Sequence, residues 1–397
     1  MEKQNIEHTV IIPSYNTLYH LQNTYNSLLK YGGGVSILII DDASEDGTSE
    51  WLAGLKNDKL EVVISPTRKG HTYWYDEGMR MSKTSIVSIL HSDMIIGPGY
   101  FDNMLKHLKP RTVVCATRIE PPIHPAGLEK ITLDLGLEAD VFDWQSFEDF
   151  VNKERINKLD NTTKGIFAPW MLYKEDHLSI GGHDQRFAPY GYEDSDIFNR
   201  WILQGYNMVQ SRDSLCYHMT CRGHRWNKGV GIENPDYKQI MNRCQRDFIR
   251  KWGDWIHNNE YQYPIINPKY DIGFIINNGN PGLLEALEPW CSTVYIKKPG
   301  TGSDDWVWNY VQSEEVKTSF NLRQKVLPYD DEKQNDILVE IDGNTVGQQD
   351  YQYITQFAEI IASDDQLEVG EFRLGTLKIT INQINTYEKD LICNTIS

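Results

Sequence analysis

The sequence predicts an α/β protein: a Rossmann-like, mostly parallel sheet with helices on both faces over residues 1–262, then a smaller α/β domain over residues 263–397. Three observations carry this. Short apolar runs alternate with stretches of helical periodicity through the first hundred residues. Those runs end in polar residues, and in open α/β sheets ligands bind at the carboxyl ends of the strands. Prolines in Tyr263–Pro268 then mark a linker, after which the alternation starts afresh.

Taken in order, His8–Ser14, Val35–Asp42, Leu60–Ser65 and Ile86–Asp93 read as strands, and Leu18–Lys30, Thr48–Lys56 and Thr72–Ser82 as the helices between them. Three strand ends carry Pro13-Ser14-Tyr15-Asn16, Asp41-Asp42-Ala43-Ser44 and His91-Ser92-Asp93. Their recurrence on one expected sheet edge makes a site of them. From Ile119 to Lys164 the pattern breaks, with Pro121, Pro122 and Pro125 marking a loop and Trp144–Asn152 a short helix. An insertion of this length over a binding edge is often functional, and it is read as lying on the acceptor side. Gly165–Lys174 is a strand, Gly181-Gly182 a turn, Met208–Met219 a strand holding His218 at its end, and Tyr237–Trp252 a helix. Beyond the linker, Tyr270–Asn277 and Ser292–Lys297 are strands flanking a helix at Pro281–Trp290. Further elements fall at Ile337–Asp342, Tyr351–Ala362 and Glu371–Ile384.

The formal charge of −17 excludes a nucleic-acid binder, which needs a basic face, and disfavours an anionic membrane surface. From Pro268 onward there are 10 basic and 21 acidic residues, so most of that charge lies in the tail. No apolar run approaches the roughly 20 residues of a membrane span. The first residues lead straight into a strand, and the six cysteines form no CxxC pair. The expectation is a cytoplasmic protein with reduced thiols.

Tyr190-Gly191-Tyr192-Glu193-Asp194-Ser195-Asp196 places three acids at the start of a helix anchored by Ile197, Phe198, Trp201 and Ile202. A helix N-terminus favours the ionised carboxylate that a general base needs. Tyr190 and Tyr192 beside it, with Trp170, are candidate sugar-stacking platforms. Asp194 and Asp196 are two apart and cannot share a helix face, so only one of them reaches a substrate.

Ile11-Ile12-Pro13-Ser14-Tyr15-Asn16 and Ile39-Ile40-Asp41-Asp42-Ala43-Ser44-Glu45-Asp46-Gly47-Thr48 resemble the opening of family 2 glycosyltransferases, enzymes of GT-A fold that use nucleotide-sugar donors. Leu90-His91-Ser92-Asp93 falls where that family carries its Asp-x-Asp metal motif, with His91 in place of the first acid. Glu193-Asp194-Ser195-Asp196-Ile197-Phe198-Asn199-Arg200 resembles the C-terminal motif of β-1,4-galactosyltransferases, which are also GT-A enzymes. The two resemblances together run from about Thr9 to Trp252.

The resemblance implies an inverting, metal-dependent transfer of a hexose from a UDP-sugar to a hydroxyl of a glycan or glycoconjugate. Asp194 is then the base, with Glu193 orienting the acceptor and Asp196 bracing the site. Asp93 and His218 hold Mn²⁺, or Mg²⁺, with His224 as the competing ligand, and the ion neutralises the leaving diphosphate. Pro13, Tyr15, Asn16, Asp41, Asp42, Gly70, Asp76, His91, Ser92 and Asp93 form the donor side. Asp42 accepts from the uracil imide and Tyr15 stacks on the base, while Trp170, Tyr190 and Tyr192 meet the acceptor. Two other classes stand beside this reading. One is a carbohydrate-binding protein that has lost catalysis on the same scaffold, motivated by His91. The other is a sugar nucleotidyltransferase, weakened by Pro13-Ser14-Tyr15-Asn16 where a glycine-rich phosphate loop belongs. The tail is open to acceptor recognition, oligomerisation, or packing without a ligand.

Overall fold

The computed structural model describes residues 7–226, 228–297, 305–329, 333–364 and 367–392. The chain forms two compact units, one built on Met1–Ile240 with Asn258–Pro264, the other on Met241–His257 with Ile265–Ile392.

The first unit runs β1 (His8–Ser14), α1 (Leu18–Tyr31), β2 (Ser36–Asp41), α2 (Thr48–Ala53), β3 (Leu60–Ile64), α3 (His71–Met81), β4 (Ile86–Ile89) and β5 (Met94–Ile96). It continues with α4 (Tyr100–Leu105), β6 (Thr112–Glu120), β7 (Lys130–Thr132), α5 (Trp144–Asn157), β8 (Thr162–Thr163), β9 (Trp170–Tyr173), α6 (Lys174–Leu178), α7 (Glu193–Leu203) and β10 (Asn207–His218). The sheet order is β3-β2-β1-β4-β9-β6-β10-β5, with β7 on β6 and β8 on β10. β1, β2, β3 and β4 are parallel, as are β6 and β10, while β9 runs antiparallel between β4 and β6. The expected mostly parallel α/β sheet is therefore present.

Two apolar layers cover its faces. Val10, Ile12, Leu21, Leu28, Ile37 and Ile39 pack on one side, and Ile11, Leu38, Ile40, Met79, Trp170 and Trp201 on the other, as the alternation of side chains along a strand requires. The segment 119–164, where periodicity fails, folds onto this sheet. It adds β7 and β8, and α5 buries Phe147 and Val151 against Ile95, Ile119, Leu215 and Tyr217. Asp143 caps α5 by accepting from the Ser146 N–H. The strand expected over Ile86–Asp93 stops at Ile89, which frees His91-Ser92-Asp93 to turn across the sheet edge.

The second unit is a six-stranded α/β sheet. Val326–Pro328, Thr293–Ile296, Ile272–Asn277 and Ile337–Asp342 are parallel neighbours, completed by the antiparallel pair Leu377–Ile381 and Gly370–Leu374. Glu288 is buried among Arg246, Arg250 and Lys325, and Arg250 also reaches Glu314 at 2.7 Å, so this interior charge is fully paired. No helix among the described residues is long and apolar enough to cross a membrane. Cys115, Cys216, Cys221, Cys244 and Cys291 are buried and outside any disulfide among the described residues, and Cys393 lies outside those residues.

Candidate active site

Register brings the strand-end residues together. Ser14 pairs with Asp41 and Ile11 with Ile89, so the turns after β1, β2 and β4 share one edge. A cavity of about 80 Å³ opens there, lined among others by Pro13, Tyr15, Asp42, Arg68, Gly70, His71, Tyr75, His91, Ser92, Asp93, Tyr190 and Arg222.

The turns are cross-tied. Asn16, at φ 51°, donates its N–H to Ser44 Oγ and accepts from the Glu45 N–H, and Asp41 accepts from the Ser44 N–H and the Ser49 hydroxyl. Asn16 and Asp41 thus hold the edge and do not line the cavity. Asp42 does line it, with one oxygen accepting from Lys69 N–H and Trp74 Nε1–H and the other from Gly70 N–H, each at 2.7 Å. Three of the roughly four acceptor positions of a carboxylate are used in pinning the Gly70 loop, which leaves one for a ligand. Gly70 is required at this point. It sits at φ 91°, and a Cβ would fall 2.2 Å from Pro189 Cα.

A second row crosses the edge. The antiparallel β5–β10 register sets His218 opposite Met94, next to Asp93, and the parallel β6–β10 register sets it beside Glu120. His218 Nδ1 lies 3.0 Å from Glu120 Oε1 and Nε2 lies 3.5 Å from Asp93 Oδ1. His91, Asp93 and His218 each offer one ligand atom, all within 4.8 Å of one another. His224 lines the cavity but stands outside this cluster, its Nδ1 3.0 Å from the Arg222 carbonyl.

This donor set fits a divalent ion. With the Nδ1–H of His218 donated to Glu120, the Nε2 lone pair is left on the Asp93 side, the arrangement common to metal-bound histidines. Burial disfavours charge on the His218 ring, yet Asp93 and Glu120 outweigh it and lift His218 to about 9, so a cation bound there would displace the Nε2 proton. Burial, then the neighbouring His218, drops His91 to about 3, which keeps its imidazole neutral as a ligand must be.

The acids of α7 approach the same cavity from the far side. Tyr192, at φ 70°, turns the chain into the helix and does not line the cavity, whereas the buried Tyr190 does. Glu193 Oε1 lies 2.6 Å from Nε2 of His71, a cavity residue. Glu193 works against burial to hold His71 above its ordinary range. Asp194 is partly exposed as a residue, yet its Oδ1 is enclosed without a hydrogen-bond partner. Burial first, then the Glu193 carboxylate, raise Asp194 to about 7. The enclosed Tyr75 hydroxyl is raised by burial and then by Asp194, Glu193 and Asp93, so the acids and the metal cluster act on one phenol that lines the cavity. Asp196 is buried and pairs with Arg200 at 2.9 Å. That guanidinium donates to the carbonyls of Ile180 and Gly182, so the pair braces the turn before α7.

Two expected contacts are placed elsewhere. Asp76 is buried and accepts from His183 N–H, with His183 Nδ1 at 2.7 Å and His177 Nε2 at 2.8 Å, so it faces the interior and no cavity. Trp170 has no exposed surface and packs edge-on against Trp201, so it presents no face to a sugar. Conversely, the sequence reading left out His71, Tyr75 and Arg68 from the site, and Glu120 behind it. Glu120 ends a strand, the same signal that marked Asp42 and Asp93.

The sequence model of glycosyl transferase family 2 matches residues 9–179, and that of the N-terminal domain of galactosyltransferase matches residues 158–222. Validoxylamine A glucosyltransferases from Streptomyces hygroscopicus subsp. jinggangensis and subsp. limoneus are each 23% identical over 279 residues. The match covers 61% of this chain and 60% and 56% of those proteins, so the chain spans less than two thirds of their length. Among solved structures, GalNAc-T7 with UDP, GalNAc and Mn²⁺ aligns at TM-score 0.43 and 12% identity, covering 62% of this chain and 48% of that one. The Pyrobaculum calidifontis mannosyltransferase PcManGT with GDP-Man and Mn²⁺ aligns at 0.39 and 17%, covering 62% and 61%.

Proposed function

For a chain whose residues 9–179 match the sequence model of glycosyl transferase family 2, we propose an inverting, metal-dependent transfer of a hexose from a UDP-sugar to a hydroxyl of a glycan or glycoconjugate. The observation that carries the reading is the meeting of two groups on one cavity. His91, Asp93 and His218 offer a cation site, while Glu193 holds the cavity residue His71 at 2.6 Å and Asp194 follows it in the first turn of α7.

Asp194 takes the proton of the acceptor hydroxyl as the new glycosidic bond forms, and the bond from the anomeric carbon to the diphosphate breaks. Its carboxyl near 7 suits a base at neutral pH. Glu193, kept ionised by His71, orients the hydroxyl. His91, Asp93 and His218 would hold Mn²⁺, better suited than Mg²⁺ to two imidazoles, and the ion supplies charge neutralisation for the departing diphosphate. Arg222 borders the cavity with Nε and Nη1 enclosed and unpartnered, and is assigned to the same phosphates. Tyr15 carries the base. Arg68 now covers that ring at 4.1 Å, and the 80 Å³ cavity is below the roughly 300–1,000 Å³ of small-molecule sites, so donor entry displaces Arg68.

Product release from UDP-glucose, UDP-galactose and UDP-N-acetylgalactosamine, with Mn²⁺ and a glycan panel, tests the reading. The relatives' name puts glucose first. Release of UDP from none of them, in a protein that binds UDP, removes the enzyme reading. The acid limb is a second test. Burial and then Glu193 lift the Asp194 carboxyl, while His71, His183 and Arg118 pull it down. The base is the anion, so kcat/KM is low on the acid side and rises through about 7. A profile with no fall on the acid side places the base elsewhere.

A further inference from the structure

Next to the donor cavity lies a second one, of about 440 Å³, within the roughly 300–1,000 Å³ of small-molecule sites. Tyr19, Glu45, Asp46, Glu138, Trp226 and Lys228 wall it, and Arg222 borders both cavities. We propose that this groove is a carbohydrate subsite, which takes one or two rings of an uncharged polyhydroxylated ligand.

Three observations converge on that chemistry. Tyr19, at the start of α1, lines the groove and is 70% exposed, so its ring face is open to a ligand. Trp226 is only 7% exposed, yet its enclosed indole N–H has no hydrogen-bond partner among the described residues. A buried donor left unpaired is costly, and a ligand hydroxyl or ring oxygen relieves it. The side chains of Glu45, Asp46 and Glu138 against Arg222 and Lys228 leave the walls close to neutral and slightly acidic.

That balance excludes a polyanion, for which the acids are repulsive, and gives a polycation two competing cations. A purely apolar ligand would leave the indole N–H unpaired. A neutral sugar satisfies all of these walls: its C–H face stacks on an aromatic ring, and its hydroxyls donate to carboxylates and accept from the indole. The shared Arg222 sets the groove beside the donor cavity. This placement suits a unit of the acceptor away from the reacting hydroxyl, and that role rests on the proposed transfer. The sugar site itself does not.

The test is binding of maltotriose, cellotriose and chitotriose, with trigalacturonate as the charged control, to the full chain by saturation-transfer NMR and calorimetry. At least one neutral trisaccharide is expected to bind and trigalacturonate is not. Tyr19→Ala and Trp226→Phe are each expected to weaken the neutral ligand about tenfold. Neither should change the thermal shift given by UDP and Mn²⁺, which also reports that both variants are folded. Absence of neutral-sugar binding in the parent chain, or parental affinity in both variants, overturns the proposal. Loss of the UDP response in the parent chain would instead count against the donor reading, with the trisaccharide result still standing on its own.

Discussion

Asp194→Asn is expected to lower sugar transfer by about 10²–10⁴-fold, the usual worth of a positioned general base, with UDP binding nearly unchanged. The amide keeps the shape of the carboxyl and cannot accept the proton. Asp194 Oδ1 is enclosed and unpartnered, so the folded protein loses no hydrogen bond there. The substitution also removes a like charge beside Glu193, the second cause of the elevated Asp194 carboxyl. Stability should therefore hold or rise, and a loss of rate cannot be ascribed to unfolding. Steady-state transfer and UDP calorimetry on the same sample separate the two effects. A variant that transfers at the parent rate shows that the proton goes elsewhere, with the His71–Glu193 pair the next place to look.

The donor edge was legible because a strand that ends in acids, serines and histidine does so for a reason visible in the sequence. Asp42, His91 and Asp93 stand where their positions at strand ends put them. Which of two adjacent acids faces the cavity was not legible. Asp41 and Asp42 differ by one residue, and only the turn geometry sends Asp41 to Ser44 and Ser49 and Asp42 to the Gly70 loop. Asp76 shows the larger limit. Its partners His177 and His183 lie about a hundred residues away, and no local pattern announces such a pairing. Trp170 fails for another reason: a platform and a core aromatic give the same sequence signal, and burial alone separates them. β6 escaped notice because Thr112–Glu120 is buried along its whole length, without the alternation that marks a half-buried strand.

His91 is the residue on which the non-catalytic alternative leaned. In the folded chain its ring lies in the same cluster as Asp93 and His218, 5.4 Å from the His218 ring. Held neutral, an imidazole would replace the missing acid as a ligand and would shift the site's preference toward a softer ion. The departure from the acidic motif thus bears on which metal binds more than on whether one binds.

Asp93→Ala is the second large effect: metal-dependent UDP binding should be lost. Asp93 is the only carboxylate of the cluster, and without it two imidazoles remain to hold a hard divalent cation. A Mn²⁺ titration followed by paramagnetic resonance, with and without UDP, reads this directly. Glu120→Gln makes the experiment graded. Glu120 touches His218 and is not in the cluster, so it acts by orienting the ring and adding negative charge behind it. A glutamine carbonyl still accepts the Nδ1–H and keeps the tautomer, but the charge is gone. Its expected cost is about 10–100-fold in metal affinity, with ligation preserved. If Asp93→Ala binds Mn²⁺ and UDP as the parent does, the ion is held elsewhere. If Glu120→Gln matches the full loss of Asp93→Ala, then Glu120 is itself a ligand and the cluster is four-membered.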